Sequence, residues 1–131
     1  MPKRPTAPRF VSRLVIDAIH FDTVSEHGGM RGLRDEVALE SAIARPKQLA
    51  AYGPGADLAA LCASLGHGIA RNHPFNDGNK RVAFVAMAVM AELNGAELDA
   101  SETDVVTVML DLAAGAMSED DLAEWLRSHL T

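Results

Sequence analysis

The sequence predicts an all-α fold of about six helices packed around a central buried helix. Three observations carry this. Apolar residues recur at helical spacing in one stretch after another. Ser or Asp stands just ahead of most of those stretches, where a helix start needs a side-chain acceptor. Strand signals are scarce apart from a few residues around Glu97-Leu98.

In chain order, a proline-rich lead-in over residues 1–9 is expected to be flexible, and Phe10-Val11 reads as a short extended piece. Ser12 is placed to cap a helix to about Glu26 through Leu14, Val15, Ala18, Ile19 and Val24, and Gly28-Gly29 stops it. Asp35 caps a second helix through Val37, Leu39, Ala42 and Ile43, which Pro46 is expected to end, leaving Lys47 to Ala56 as an irregular loop. Asp57 opens a third, with Leu58, Leu61, Cys62, Leu65 and Ile69 on one face. It fades near Asn72, since Pro74 disfavours helical backbone at the residue before it. The fourth spans about Gly78 to Leu93, and Asn94-Gly95 ends it. Its run Val82 to Ala91 is apolar nearly all round, so it should be the central helix. Ser101 and Ser118, each with an acid three residues on, start the fifth and sixth helices, separated near Gly115. No repeat or dividing linker interrupts the 131 residues, so 1–131 reads as a single domain.

Composition narrows the function. Hydrophobic content of 48% and charged content of 23% suit a folded protein. A net charge of −6 argues against nucleic acid or an anionic membrane as the general partner, while leaving an anionic small molecule open. Cys62 is the only cysteine, so no internal disulfide forms, and it falls on an apolar helix face as a small hydrophobe. No signal peptide or spanning segment is evident, and a cytoplasmic location is expected.

Chemistry concentrates in His73-Pro74-Phe75-Asn76-Asp77-Gly78-Asn79-Lys80-Arg81, directly ahead of the apolar run. His73 has the residue type for general acid/base work near neutrality. Phe75 anchors the loop to the core. Asp77 suits Mg²⁺ shared with phosphate oxygens; the plainer role is to cap the fourth helix, and one residue can do both. Gly78 lets backbone amides approach a phosphate, and Asn79, Lys80 and Arg81 add donors at the first turn. Two cations there oppose the helix dipole, and a bound polyanion would compensate. His20, His27 and His129 read as surface or packing residues. His67 and His73, six apart, do not share a helix face, which disfavours a two-histidine metal site.

At these residues the chain resembles the Fic/Doc family, and within it the Doc (death-on-curing) toxins of type II toxin–antitoxin systems. His73, Phe75, Asp77, Gly78, Asn79 and Arg81 match the family motif. Lys80 replaces its next glycine, and Phe84 replaces the second arginine of adenylylating members. His27-Gly28-Gly29, Gly32-Leu33-Arg34-Asp35, Ala44-Arg45-Pro46 and Glu92-Leu93-Asn94-Gly95 extend the similarity over essentially the whole chain.

The resemblance implies a Fic fold in which His73 deprotonates a target hydroxyl, Asp77 takes part in Mg²⁺ binding, and Gly78, Asn79, Lys80 and Arg81 hold the nucleotide phosphates. It implies a kinase that moves the γ-phosphate of ATP to a threonine of elongation factor Tu and so stops translation. Lys47 to Ala56 is expected where the family carries a target-docking flap. The family's inhibitory (S/T)-x-x-x-E-(G/N) motif has no match in this chain, so inhibition is expected from a Phd-like antitoxin. The alternatives are a Fic-type protein adenylyltransferase, a catalytically silent Fic binding module, and a ribonuclease-type toxin, which the acidic charge disfavours.

Overall fold

A computed structural model describes residues 7–53 and 55–131. Six helices follow one another: α1 (Arg13–His27), α2 (Glu36–Tyr52), α3 (Leu58–Asn72), α4 (Asn79–Leu93), α5 (Glu102–Ala113) and α6 (Glu119–His129). Among the described residues there is no strand beyond two isolated bridges, and the all-α expectation holds. One bridge joins Leu98 to Leu130, where the strand signal around Glu97 lay. No helix among the described residues is long and apolar enough to cross a membrane.

Five of the six helix caps fall where the sequence put them. Ser12, Asp35, Asp57, Ser101 and Ser118 each accept a backbone N–H from three residues on, and the helices begin just after them. Most of the expected flexible lead-in lies outside the described residues. At its end, Arg9 exchanges backbone hydrogen bonds with the Asn94 side-chain amide, at 2.9 Å each way. Val11 is buried, and no strand pairing is formed by Phe10-Val11.

The expected end of α2 at Pro46 is corrected. The helix continues to Tyr52 with Pro46 inside it and buried, so most of the expected loop Lys47 to Ala56 is helical. Proline forfeits one helical hydrogen bond, but the buried face Leu39, Ala42, Ile43 and Pro46 lies along α3, and that packing outweighs the local penalty.

The centre is shared between α3 and α4, and α3 is the more fully enclosed. It packs against α2, α4, α5 and α6, and all but four of its residues are buried. Two glycines permit this. A Cβ on Gly66 would overlap the Met87 side chain of α4, and one on Gly68 would come within 3.2 Å of Ala42 Cβ on α2. Cys62, fully buried on α3, has its thiol pushed up to about 12 by desolvation, so it stays protonated and behaves as a hydrophobe.

α6 is tied to the start of α3 by one carboxylate. Asp57 Oδ1 caps α3 through the Ala60 N–H (3.0 Å), and the Arg127 Nε and Nη2 groups donate to Oδ2 and Oδ1 at 2.6 and 2.9 Å. The guanidinium holds the Asp57 carboxyl below the usual carboxylate range. A carboxyl depressed on folding stabilises the native state above its unfolded pKa, and that contribution is lost as pH falls through the folded value. Asp57→Asn keeps a capping oxygen but loses the charge. Its destabilisation in urea melts is therefore expected to be clear at neutral pH and to shrink on acidification below about 3.9.

Candidate active site at the head of the fourth helix

The loop between α3 and α4 gathers the motif residues. His73 follows α3 as its C-cap in the left-handed region (φ 47, ψ 56). It is the one non-glycine residue with positive φ among those described, a conformation that costs about 1–2 kcal/mol. The backbone therefore turns sharply at the candidate base. His73 is exposed, and its ring forms no hydrogen bond with the described residues.

Phe75 is the anchor it was expected to be. It is 3% exposed and stacks on the His20 ring with centroids 3.9 Å apart. The Asn79 side chain holds the Phe75 backbone at both ends: the Phe75 N–H donates to Oδ1, and Nδ2 donates to the Phe75 carbonyl, at 2.9 Å each. Each polar atom of that amide thereby makes one hydrogen bond within the loop.

Asp77 does not cap α4. The N-cap is Gly78 (φ 85), no side chain caps the helix, and the first turn is closed by the Val82 N–H on the Gly78 carbonyl. Asp77 Oδ2 instead accepts the Met30 N–H at 2.6 Å. That approach depends on Gly29 (φ 116), where a Cβ would stand 3.0 Å from Asp77 Cβ. His20 Nε2–H donates to the Asp77 carbonyl at 3.1 Å, so His20, read from sequence only as surface or packing, buttresses both Phe75 and Asp77.

The segment lying along the motif loop is 28–35, between α1 and α2. Leu33 forms a bridge with Phe75, the Arg34 and Asp35 N–H groups donate to the Pro74 carbonyl, and the Asn76 N–H donates to the Gly32 carbonyl. Of the stretch 47–56, expected at the flap position, residues 47–52 belong to α2. The glycines at 28, 29 and 32 were legible as turns, but their role in covering a loop some 45 residues away was not.

A cleft of about 270 Å³ opens at the head of α4. Gly78, Asn79, Lys80 and Arg81 line one side; Phe84 with Val105, Val106, Met109 and Leu110 of α5 form an apolar wall. Thr23, His27 and Gly28 complete it, and the sequence alone marked neither Thr23 nor the α5 residues. Helix α4 has no acidic residue in its first turn, and neither Lys80 nor Arg81 forms an ion pair among the described residues. The cleft thus has a cationic end made of a helix start and an apolar end, a form suited to a phosphorylated ligand with a ring system. His73 and Asp77 belong to the motif loop and do not line this cleft.

For a divalent ion, the donor set is modest. Among the described residues no three His, Cys, Asp or Glu side chains converge as a metal cage. Asp77 is exposed, and its Oδ1 accepts no hydrogen bond from the described residues. One open carboxylate next to a phosphate-sized helix start fits Mg²⁺, which keeps several waters and binds through one or two carboxylates plus phosphate oxygens.

The chain is 32% identical over 120 residues to "Protein kinase doc" of Escherichia phage P1, covering 91% of this chain and 94% of that one. It is 41% identical over 80 residues to "Toxin Doc" of Mycolicibacterium smegmatis, covering 60% of each. A family model described as Fic/DOC matches residues 10–91, the stretch holding the motif loop, the segment folded along it and the helix beyond. This chain belongs to the Fic/DOC family.

Proposed function

We propose that the chain is a Doc-type toxin kinase. It transfers the γ-phosphate of ATP to a threonine hydroxyl of a translation factor, elongation factor Tu by resemblance, and so arrests translation in the cytoplasm. A Phd-like antitoxin restrains it. The observation that carries the reading is the similarity over nearly the full chain to a protein named as a kinase, together with Phe84 on the cleft wall where adenylylating members have a second arginine.

His73 accepts the hydroxyl proton as the new O–P bond forms and the bond from the γ-phosphorus to the ADP oxygen breaks. Lys80, Arg81 and the open N–H groups of residues 79–81 hold phosphate oxygens; Gly78 lets them approach. The apolar wall of Phe84 and α5 receives the base. Asp77 would hold Mg²⁺, which when bound neutralises charge on the phosphates. The remaining residues position: Phe75 anchors the loop, and the Asn79 side chain keeps its shape.

One alternative has specific support. His73, Asp77, Gly78, Asn79 and Arg81 are all shared with the adenylylating pattern, so AMP transfer is the competing reaction. Incubation of the protein and Mg²⁺ with elongation factor Tu and ATP labelled at either phosphate separates them. Label on the target from γ-labelled ATP alone is expected; label from α-labelled ATP alone replaces the kinase reading with an adenylyltransferase.

A further inference from the structure

We infer that Arg34 is a positioning residue for His73, holding the candidate base in its left-handed turn by gripping the carbonyls around it. The inference rests on the proposed role of His73 and deepens it.

Arg34 spans three consecutive carbonyls. Its Nη2 donates to Asn72 (2.9 Å), its Nε to His73 (2.7 Å), and its backbone N–H to Pro74 (2.8 Å). The residue gripped in the middle is the non-glycine residue at positive φ. Its conformation is one that His adopts only when the surroundings impose it. The turn also ends α3, so the guanidinium sits at the negative end of that helix dipole. Arg34 has no carboxylate partner among the described residues and does not line the cleft. Its side chain is therefore committed to the His73 turn, and it acts through His73 without touching nucleotide.

The geometry asks for arginine. Two donors on one planar edge meet two successive carbonyls, whereas a lysine ammonium reaches them as a single rotating point. Losing the side chain leaves the segment in place, because the N–H bonds of residues 34 and 35 to Pro74, and of Asn76 to Gly32, involve backbone alone.

The test uses the full chain as wild type, Arg34→Ala and Arg34→Lys, with Mg²⁺, γ-labelled ATP and elongation factor Tu. Melting curves confirm that each variant is folded. Misplacing the base is expected to lower kcat for Arg34→Ala about 100-fold. KM for ATP should stay within about twofold, as for an interaction used only in the transition state. Added guanidinium ion restores part of the rate, and Arg34→Lys does not regain the wild-type value. Independently, the His73 Cα chemical shift, read by NMR without nucleotide or target, moves away from its left-handed value in Arg34→Ala. An unchanged kcat, full activity in Arg34→Lys, or an unmoved His73 shift overturns the inference. If the wild type transfers no γ-phosphate to elongation factor Tu, the functional proposal fails, while the shift comparison still decides the role of Arg34.

Discussion

His73→Asn is expected to reduce phosphoryl transfer by about 10²–10⁴-fold, the range supplied by a positioned general base. Asparagine is chosen because it tolerates the left-handed backbone at 73 and brings no group that accepts a proton near neutrality. The loss should fall on kcat. His73 is exposed, packs into no core and does not line the cleft, so neither stability nor ATP affinity depends on its ring. Single-turnover transfer from γ-labelled ATP, with a melting curve on the same sample, measures both. Growth arrest on induction in bacteria reports the same chemistry, and a variant as toxic as wild type would mean that His73 is not the base.

Phe75→Ala is expected to produce the largest stability loss in the motif, about 3–5 kcal/mol for a buried aromatic truncated to alanine. The ring is 3% exposed and stacked on His20, so its removal leaves a void between the motif loop, α1 and the segment 28–35. Against a typical total of about 5–15 kcal/mol this is a large fraction. His20 loses its stacking partner, and with it the orientation that places Nε2–H on the Asp77 carbonyl. Denaturant melts should therefore show a strongly lowered midpoint, and Phe75→Leu, which keeps most of the volume, a smaller one. Activity per folded molecule should fall in Phe75→Ala too. Wild-type stability in Phe75→Ala would show that the loop is held without the Phe75 ring.

The motif was legible because its chemistry is contiguous. Residues 73–81 place a base, a carboxylate, a glycine and two cations on one turn and one helix start, and such neighbours stay neighbours in any fold. Helix starts were legible for the same reason: an Ncap side chain reaches only three residues ahead. The end of α2 was not. Pro46 carries a local penalty that reads as a stop, and the compensating contact with α3 comes from residues far along the chain.

The same limit explains the site roles that the sequence does not show. His20, Met30 and Arg34 look like ordinary helix or loop residues until α1 and the segment 28–35 fold against the motif loop. The Asn79 amide also braces the Phe75 backbone, and the apolar half of the cleft comes from α5, more than twenty residues beyond the motif. The sequence by itself determined the helix starts, the family and the chemical groups available. The tertiary structure alone decided which face each group presents and what holds it there, because those contacts join residues that only packing brings together.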